Sequence, residues 1–422
     1  MEGTVEAADL VVRGASAIVT PTGSTAKGGS DQGIIKRIEG AALAIRDGRI
    51  VALGSEAEIA SVYRAAKSFD AEGGLIIPGL VDAHTHPVFS GWRADEFELR
   101  TTGATYLEIA AAGGGIAASL RGVRGTSKTD LVALLVERMQ RFLELGTTTV
   151  EAKSGYGLSV SDERKCLEAI REANKLHPVD LIPTFLGAHA LPPEFRDQRE
   201  RYVDLVVDEM LPGIAADGLA TFCDVFVEKG AFTLGEGRRV LERAKDLGLG
   251  LRLHVDQLTA GGGAELAAEL GAASADHLEH VTPAGIDALL GAGTVPVLCP
   301  LVPLFLREEQ EAPGRRMVDA GLPVAIATDF NPGSCNCMSL FEALSWAALR
   351  YRLTANEALT AGTLNAAASL GLGSDRGSLE VGKRADLLIL DLPDERHVVY
   401  ELGRNPVRAV LKDGRLVYLR GA

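Results

Sequence analysis

The feature that most constrains this chain is an apolar run that ends abruptly in His-x-His. The run is Ile76-Ile77-Pro78-Gly79-Leu80-Val81-Asp82-Ala83-His84-Thr85-His86. Because side chains alternate along a strand, residues two apart point to the same side of it. His84 and His86 can therefore reach one metal ion, and imidazole suits zinc, iron, nickel and copper. Two histidines do not complete a site, so the rest of the chain must supply another ligand and leave one position open.

The middle of the chain alternates between short β-branched runs and Ala- and Leu-rich stretches. We predict strands at residues 80–84, 147–153, 181–189, 223–228, 249–254, 273–277, 295–300 and 324–329. Helical spacing lies between them, at 128–145, 161–176, 236–247, 263–270, 283–290 and 315–320. This alternation predicts an α/β fold, a parallel (β/α)8 barrel of the TIM type, with its active site at the carboxyl ends of the strands.

Both ends of the chain carry the same hairpin signal, two β-like runs joined by Asp-Gly. The first turn is at Asp47-Gly48 and the second at Asp413-Gly414, and such a dipeptide between β-runs is typical of a tight hairpin. A further strand is predicted at residues 384–391. We therefore predict a small β-sandwich domain built from residues 1–78 and 381–422, with the barrel at 79–380 between them.

Composition and charge restrict the class of partner. The chain has 422 residues, of which 46% are hydrophobic and 24% charged, as in soluble globular proteins. A formal net charge of −14 argues against nucleic acid or an anionic membrane as the main partner. We find no transmembrane run and no basic secretory signal. The five cysteines are scattered and odd in number, which predicts reduced thiols and a cytoplasmic location.

Histidines are concentrated at the predicted strand ends, where the chemistry of such a barrel lies. Five of the eight histidines are placed there, namely His84, His86, His189, His254 and His277. Asp329 ends the eighth strand. A single residue of this kind is more often structural, and a strand-end Asp can cap the next helix, but together on one rim they predict a metal site with a general base. We interpret His177, His280 and His397 as structural.

These residues together resemble the amidohydrolase superfamily, in which a first-strand histidine pair, a fifth-strand histidine and an eighth-strand aspartate hold a metal that activates water. Further motifs are similar to the imidazolonepropionase family: Glu151-Ala152-Lys153-Ser154-Gly155-Tyr156-Gly157-Leu158, Phe185-Leu186-Gly187-Ala188-His189, Ser274-Ala275-Asp276-His277-Leu278-Glu279 and Ala327-Thr328-Asp329-Phe330-Asn331-Pro332-Gly333-Ser334. That family opens the ring of 4-imidazolone-5-propanoate to N-formimidoyl-L-glutamate in histidine degradation. The resemblance covers nearly the whole chain.

The resemblance implies a role for each matching residue. One zinc or iron ion per chain would be held by His84, His86, His254 and Asp329. Substrate contacts would come from Arg93, Tyr156, His189, Gln257, Asn331, Gly333 and Ser334, with the Arg93 guanidinium as a fork for the propionate. Catalytic proton transfer would fall to His277, Asp329 and His189, in a division that stays open, and His277 is alternatively a fifth metal ligand. A homodimer is common in the superfamily.

Other functions place different demands on two positions. The alternative is another mononuclear amidohydrolase, acting on a cyclic amide or, as a deaminase, on a nucleobase. Such deaminases typically place an acidic Glu three residues after the fifth-strand histidine, whereas this chain has Gln257, which has no acidic proton to donate. Some imidazolonepropionases carry Glu there, so the role of Gln257 stays open.

A binuclear amidase would need a bridging group at the fourth strand, where we interpret Glu228 and Lys229 as a salt bridge. A binding protein without catalysis would lack a catalytic residue, and none is missing.

Overall fold

Eight parallel strands in chain order form the central sheet, each hydrogen-bonded to the next. They are Leu80–Asp82, Thr147–Lys153, Asp180–Ala188, Phe222–Val227, Gly250–Val255, Ser274–His277, Val295–Leu298 and Ala325–Ile326, called the first to eighth barrel strands below. A parallel bridge between Thr85 and Phe330 joins the two edges. The sheet therefore closes into a barrel, and the predicted (β/α)8 fold is confirmed. The computed structural model describes residues 6–104, 108 and 113–421.

The first and eighth strands are shorter than predicted, and both side-chain and backbone hydrogen bonds join their ends. The Asp82 carboxylate accepts hydrogen bonds from the Thr328 amide (3.1 Å) and hydroxyl (2.6 Å). The Asp329 amide donates to the His84 carbonyl (3.1 Å), and the His86 amide donates to the Phe330 carbonyl (2.9 Å). These bonds hold the ends of the first and eighth strands against each other, so their polar residues meet on one rim.

Helices surround the barrel and begin at well-defined caps. Ser127, Ser159 and Thr233 each accept a hydrogen bond from a backbone amide of the first helical turn, as expected of N-cap residues. The helices, including 3-10 and π segments, are Ala94–Thr101, Ile116–Gly125, Lys128–Glu144, Val160–Leu176, Pro193–Phe195, Arg199–Asp204, Leu205–Met210, Leu211–Ala216, Leu234–Asp246, Gly263–Leu270, Pro283–Ala292, Leu301–Leu306, Gly314–Asp319, Leu340–Arg350, Ala355–Thr360, Ala361–Asn365 and Ala366–Ser369. Among the described residues, no helix is both long and apolar enough to cross a membrane.

The two chain ends build a pair of sheets beside the barrel. One sheet has four strands, in the order Arg49–Ser55, Ala41–Arg46, Glu6–Arg13 and Tyr63–Asp70. The other has six, in the order Arg415–Leu419, Val407–Lys412, Leu387–Leu390, Leu75–Pro78, Ala17–Thr20 and Lys36–Glu39. The helices Gly29–Gly33, Glu56–Val62 and His397–Tyr400 also lie outside the central alternation of strands and helices.

The two sheets share one apolar core and form the predicted sandwich. Leu43 of the smaller sheet and Ile389 of the larger one belong to the same buried cluster. Both predicted hairpins are present, with positive φ at Asp47 (51°) and Asp413 (49°) and at the glycine that follows each. The predicted boundaries after residues 78 and 380 stay a prediction, and residues 1–5 and 422 lie outside the described part of the chain.

Candidate metal centre and adjoining cavity

Three imidazoles and one carboxylate converge at the ends of the first, fifth and eighth strands. His86 Nε2 lies 3.2 Å from His254 Nε2 and 3.3 Å from Asp329 Oδ1. His84 Nε2 lies 3.5 Å from the same Asp329 oxygen. All four side chains are buried, and one nitrogen of each histidine lies within 4.8 Å of the others. Three imidazole nitrogens and one carboxylate oxygen form a donor set that zinc and iron both accept.

The protonation chemistry of this group fits a metal ion. Burial is the main cause that lowers the pKa values of His86 and His254, which keeps both rings neutral, as metal ligands must be. Burial and Lys153 act to lower the pKa of His84, but Asp276 and Asp329 raise it to about 9. The carboxylates around the His84 ring therefore favour a positive charge at this site, such as that of a metal ion. The buried His84 Nε2 has no hydrogen-bond partner among the described residues, although buried polar atoms normally have one.

Two carboxylates face the outer nitrogens of the ligand histidines. His84 donates its Nδ1 proton to Asp276 Oδ2 at 2.6 Å, and His254 Nδ1 lies 2.9 Å from Asp224 Oδ2. Metal-ligating histidines usually direct their second nitrogen at such a group, which fixes the ring and its tautomer. The sixth-strand Asp276 and the fourth-strand Asp224 therefore aim the Nε2 atoms at the shared point. Both residues were missed in the sequence.

Two fully buried cations keep these carboxylates charged. Lys153 Nζ donates to Glu151 Oε1 (2.8 Å) and to Asp224 Oδ2 (2.7 Å), while Arg252 Nη2 lies 3.3 Å from Asp276 Oδ2. Burial alone would raise the carboxyl pKa values, but Lys153 and Arg252 contribute to pKa values below the ordinary range for both Asp224 and Asp276. The sequence signal for this cluster was charge inside otherwise apolar strands, where charged residues are rarely buried unless paired.

Removal of the buried cation of Lys153 should destabilise the barrel strongly. In Lys153→Met, the carboxylates of Glu151 and Asp224 would stay buried without their ammonium partner. Breaking a buried pair in this way costs about 3–5 kcal/mol, which we expect as a lower midpoint in urea unfolding. Lys128→Met is the matched control, because the Lys128 side chain is 38% exposed beside Glu168 and Glu172; an exposed ion pair contributes little to stability, so its urea midpoint should stay close to that of the parent. Equal midpoints for both variants would contradict this account.

A cavity of about 380 Å³ adjoins the four ligands. Every predicted site residue except the fully buried His84 lines it: His86, Arg93, Tyr156, His189, Gln257, His254, His277, Asp329, Asn331, Gly333 and Ser334. Arg100 also lines it and was missed in the sequence; its guanidinium donates to the carbonyls of Phe305 (3.2 Å) and Gly333 (3.3 and 3.2 Å). The fold thus gathers the predicted residues around one space.

The Arg93 guanidinium forms part of the cavity wall and is held at two sides. Its Nη2 donates to Glu96 Oε2 at 2.7 Å. On the other side it packs on Gly333, where an added Cβ would lie 2.1 Å from Arg93 Nη1. Arg93 Nε is buried without a hydrogen-bond partner among the described residues. The guanidinium thus has donor capacity in the cavity, and a side chain at position 333 would force it to move from this place.

His189 and Tyr156 form an aromatic wall beside His86. The His189 ring stacks on the His86 ring, with centroids 5.2 Å apart, and lies 5.3 Å from the Tyr156 ring. His189 Nδ1 donates to the Gly155 carbonyl at 3.0 Å, which leaves Nε2 as an acceptor. Burial is the main cause that lowers the pKa of His189 to about 3. His189 is therefore a neutral imidazole with a fixed tautomer.

Asn331 shapes the loop that carries Gly333 and Ser334. Its side-chain oxygen accepts from the amides of Gly333 (2.8 Å) and Ser334 (2.7 Å), and its nitrogen donates to the Asp329 carbonyl (2.7 Å). Asp329 itself has a positive φ of 50°, a conformation that is uncommon outside glycine. The amide of Asn331 thus holds the turn after the eighth strand and presents its two neighbours to the cavity.

The predicted salt bridge between Glu228 and Lys229 is wrong. Lys229 is exposed, and Glu228 Oε2 instead accepts hydrogen bonds from the amides of Leu258 (2.9 Å) and Thr259 (3.3 Å). The reason is that the turn after the fifth strand has amides that need acceptors. Glu228 therefore fixes the turn that carries Gln257, and no lysine at the fourth strand is placed to bridge two metal ions.

The remaining histidines and the cysteines do not line the cavity. One of them, Cys299, nevertheless lies near the metal centre. His177 contacts Gln140, and His397 pairs with Glu401. The cysteines form no disulfide among the described residues. Cys299 lies with His84 and His277 so that one donor atom of each falls within 4.8 Å of the others. Burial raises the pKa of the Cys299 thiol, which disfavours the thiolate that would bind a metal.

Comparisons with known proteins agree with this architecture. The Amidohydrolase family matches residues 75–417. The chain is 48% identical to the imidazolonepropionase of Symbiobacterium thermophilum, over 98% of each chain, and 49% identical to that of Myxococcus xanthus, over 97% of each. Its fold is similar to E. coli guanine deaminase (TM-score 0.74, 19% identity, 97% and 99% of the two chains). It is also similar to an adenosine deaminase from Xanthomonas campestris with bound zinc (TM-score 0.70, 23% identity, 98% and 93%).

Proposed function

The chain belongs to the amidohydrolase family and, within it, to the imidazolonepropionases, and we propose that it opens the ring of 4-imidazolone-5-propanoate by hydrolysis to N-formimidoyl-L-glutamate. The observation that carries this proposal is the identity of 48–49% to imidazolonepropionases over nearly the full length of the chain. The two deaminases are less than 25% identical to this chain in sequence, so the similarity supports only the fold. Gln257, in place of an acid, also favours ring opening over deamination.

The proposed cofactor is one zinc or iron ion per chain, held by His84, His86, His254 and Asp329. The convergence of their donor atoms supports this assignment. A metal bound there would polarise the ring carbonyl and lower the pKa of a bound water to near neutrality. The carboxylates of Asp224 and Asp276 hold two of the ligand rings in position. We also propose a cytoplasmic homodimer that acts on a small molecule, without nucleic acid or membrane as a partner.

Three residues are proposed to take part in the chemistry. Asp329 takes a proton from the attacking water and passes it to the ring nitrogen that leaves. His277 and His189 line the cavity beside this carboxylate, and His277 stabilises the negative charge that develops on the carbonyl oxygen. The neutral His189, with Nδ1 engaged by Gly155, would contribute as an acceptor that orients water. This division needs no acidic group at position 257, whose amide binds the edge of the ring.

The propionate of the substrate is proposed to bind Arg93, with support from Tyr156. We expect Arg93→Ala to raise KM roughly 10- to 100-fold with a smaller effect on kcat, because a charge-assisted pair contributes about 1.5–3 kcal/mol. Steady-state kinetics on 4-imidazolone-5-propanoate measure this. Arg121→Ala is the control, since Arg121 is exposed and donates to the Gly113 carbonyl. An unchanged KM in Arg93→Ala would mean that the tail binds elsewhere.

The proposed reaction is tested by following both possible products. The imidazolone absorbance should decay as N-formimidoyl-L-glutamate appears, and guanine, adenine and cytosine should release no ammonia above background. Rapid ammonia release from any of these bases, without ring opening of the imidazolone, would overturn the proposal. The Gln257→Glu variant should keep ring opening with altered substrate binding, because the resemblance allows Glu at this position.

A further inference from the structure

The buried carboxylate of Glu279 has no assigned role and no hydrogen-bond partner. Its residue is 3% exposed, and neither Oε1 nor Oε2 has a partner among the described residues. A buried carboxylate without a partner is costly, and such a group calls for an explanation. The explanation must lie in a neighbour that can approach it, since the surrounding contacts do not satisfy it.

His277 is that neighbour. Its Nδ1 lies 3.7 Å from Glu279 Oε1. Among the described residues, no other basic nitrogen lies within 4.0 Å of a Glu279 carboxylate oxygen. His277 Nδ1 is also buried without a hydrogen-bond partner. An unpaired donor and an unpaired acceptor thus face each other slightly beyond hydrogen-bond distance. Catalytic hydrogen bonds are often this long in free enzymes and shorten when substrate binds.

The backbone between His277 and Glu279 is strained, and this conformation brings the two side chains together. His277 and Leu278 both have positive φ, 80° and 69°, in a region that residues with a Cβ rarely adopt. Two such residues in sequence turn the chain sharply after the sixth strand. Strain of this kind persists where the surroundings impose it, often at active sites. Here the turn places residue 279 beside residue 277.

The other groups around Glu279 do not neutralise it. Burial and then the charge of Glu279 raise the pKa of Tyr351, and the Tyr351 hydroxyl has no hydrogen-bond partner among the described residues. Burial and Glu279 raise the pKa of Glu308, and a carboxyl group carries no positive charge that could pair with Glu279. Gln310 binds the Glu279 carbonyl (2.9 Å) and fixes the backbone only. These surroundings favour a donor from His277.

We propose that Glu279 is a positioning residue for His277: it accepts the Nδ1 proton of the imidazole, which holds the ring so that Nε2 faces the reacting groups. This proposal rests on the proposed function, in which His277 acts on the substrate. Glu279 itself does not line the cavity and acts through His277. Its removal should therefore slow the chemistry without weakening substrate binding.

The test is a double-mutant cycle between Glu279→Met and His277→Asn, with kcat, KM and metal content as readouts. Loss of a partner that orients a metal-ligating histidine costs about 10- to 100-fold in activity or metal affinity; we expect a similar fall in kcat for Glu279→Met, with KM and metal content unchanged. The double variant should be no slower than His277→Asn alone, because residues that act as a unit are not additive.

Two further variants separate the possible outcomes. Glu279→Gln keeps an acceptor oxygen without the charge and should show an intermediate kcat, which also keeps the test decisive if Glu279→Met does not fold. Glu265→Gln is the control, because this carboxylate lies outside the cavity and accepts from Thr282 (3.0 Å); its kcat should not change. A slow His277→Asn with a normal Glu279→Met would overturn only the role of Glu279. A normal His277→Asn would overturn the role proposed for His277.

Discussion

His254→Ala is expected to lose the bound metal and nearly all turnover. Its Nε2 lies 3.2 Å from His86 Nε2, so its removal takes one of three nitrogen donors from the centre. A bound metal contributes several kcal/mol of transition-state stabilisation, which corresponds to a loss of roughly 10³- to 10⁴-fold in kcat/KM. Metal content by elemental analysis and turnover of 4-imidazolone-5-propanoate should fall together in this variant.

His177→Ala provides the matched control for the loss of an imidazole. His177 contacts Gln140 and the Val179 amide and lies outside the cavity lining. We expect metal content and turnover within about twofold of the parent chain for this variant, as for an independent site. A His254→Ala variant that keeps both its metal and normal activity would show that the ligand set is wrong.

Asp329→Asn should separate the metal role of Asp329 from its role in proton transfer. The variant keeps an oxygen at the position that lies 3.3 Å from His86 Nε2, so we expect it to retain more metal than His254→Ala. An amide cannot take a proton from water. Loss of a general base costs about 10²- to 10⁴-fold, and we expect kcat to fall by this factor even in the metal-loaded fraction.

The readout for Asp329→Asn is kcat normalised to measured metal content. Asp319→Asn, at an exposed carboxylate 2.9 Å from Arg315, is the control and should keep parental kinetics. If metal-loaded Asp329→Asn turns over within a few-fold of the parent, proton transfer does not depend on Asp329. His277 or His189 would then be the base.

The barrel and the position of its site were predictable because both depend on local pattern. Strand ends coincide with changes from apolar to polar residues, and a closed parallel barrel brings all strand ends to one rim. His84, His254 and Asp329 are far apart in the chain, yet this topology alone places them together. The Asp-Gly turns at 47 and 413 are likewise local signals.

The parts that were not predictable depend on partners from other strands. Lys153 and Asp224 stand in different strands, and only the fold shows that they lie 2.7 Å apart inside the barrel. Glu228 was paired in the prediction with its sequence neighbour, whereas in the structure it binds amides of another turn. The strained turn that sets Glu279 beside His277 also has no periodic signal in the sequence. Charge within buried strands identifies such residues but not their partners.

Metal reconstitution tests the central claim most directly. The purified chain would be stripped with a chelator, loaded with increasing zinc or iron, and assayed at each step for bound metal and for ring opening of 4-imidazolone-5-propanoate. We expect no turnover in the stripped chain and activity that rises in proportion to bound metal, up to about one ion per chain, as for a single catalytic site. Full ring-opening activity in the metal-free chain would contradict the account.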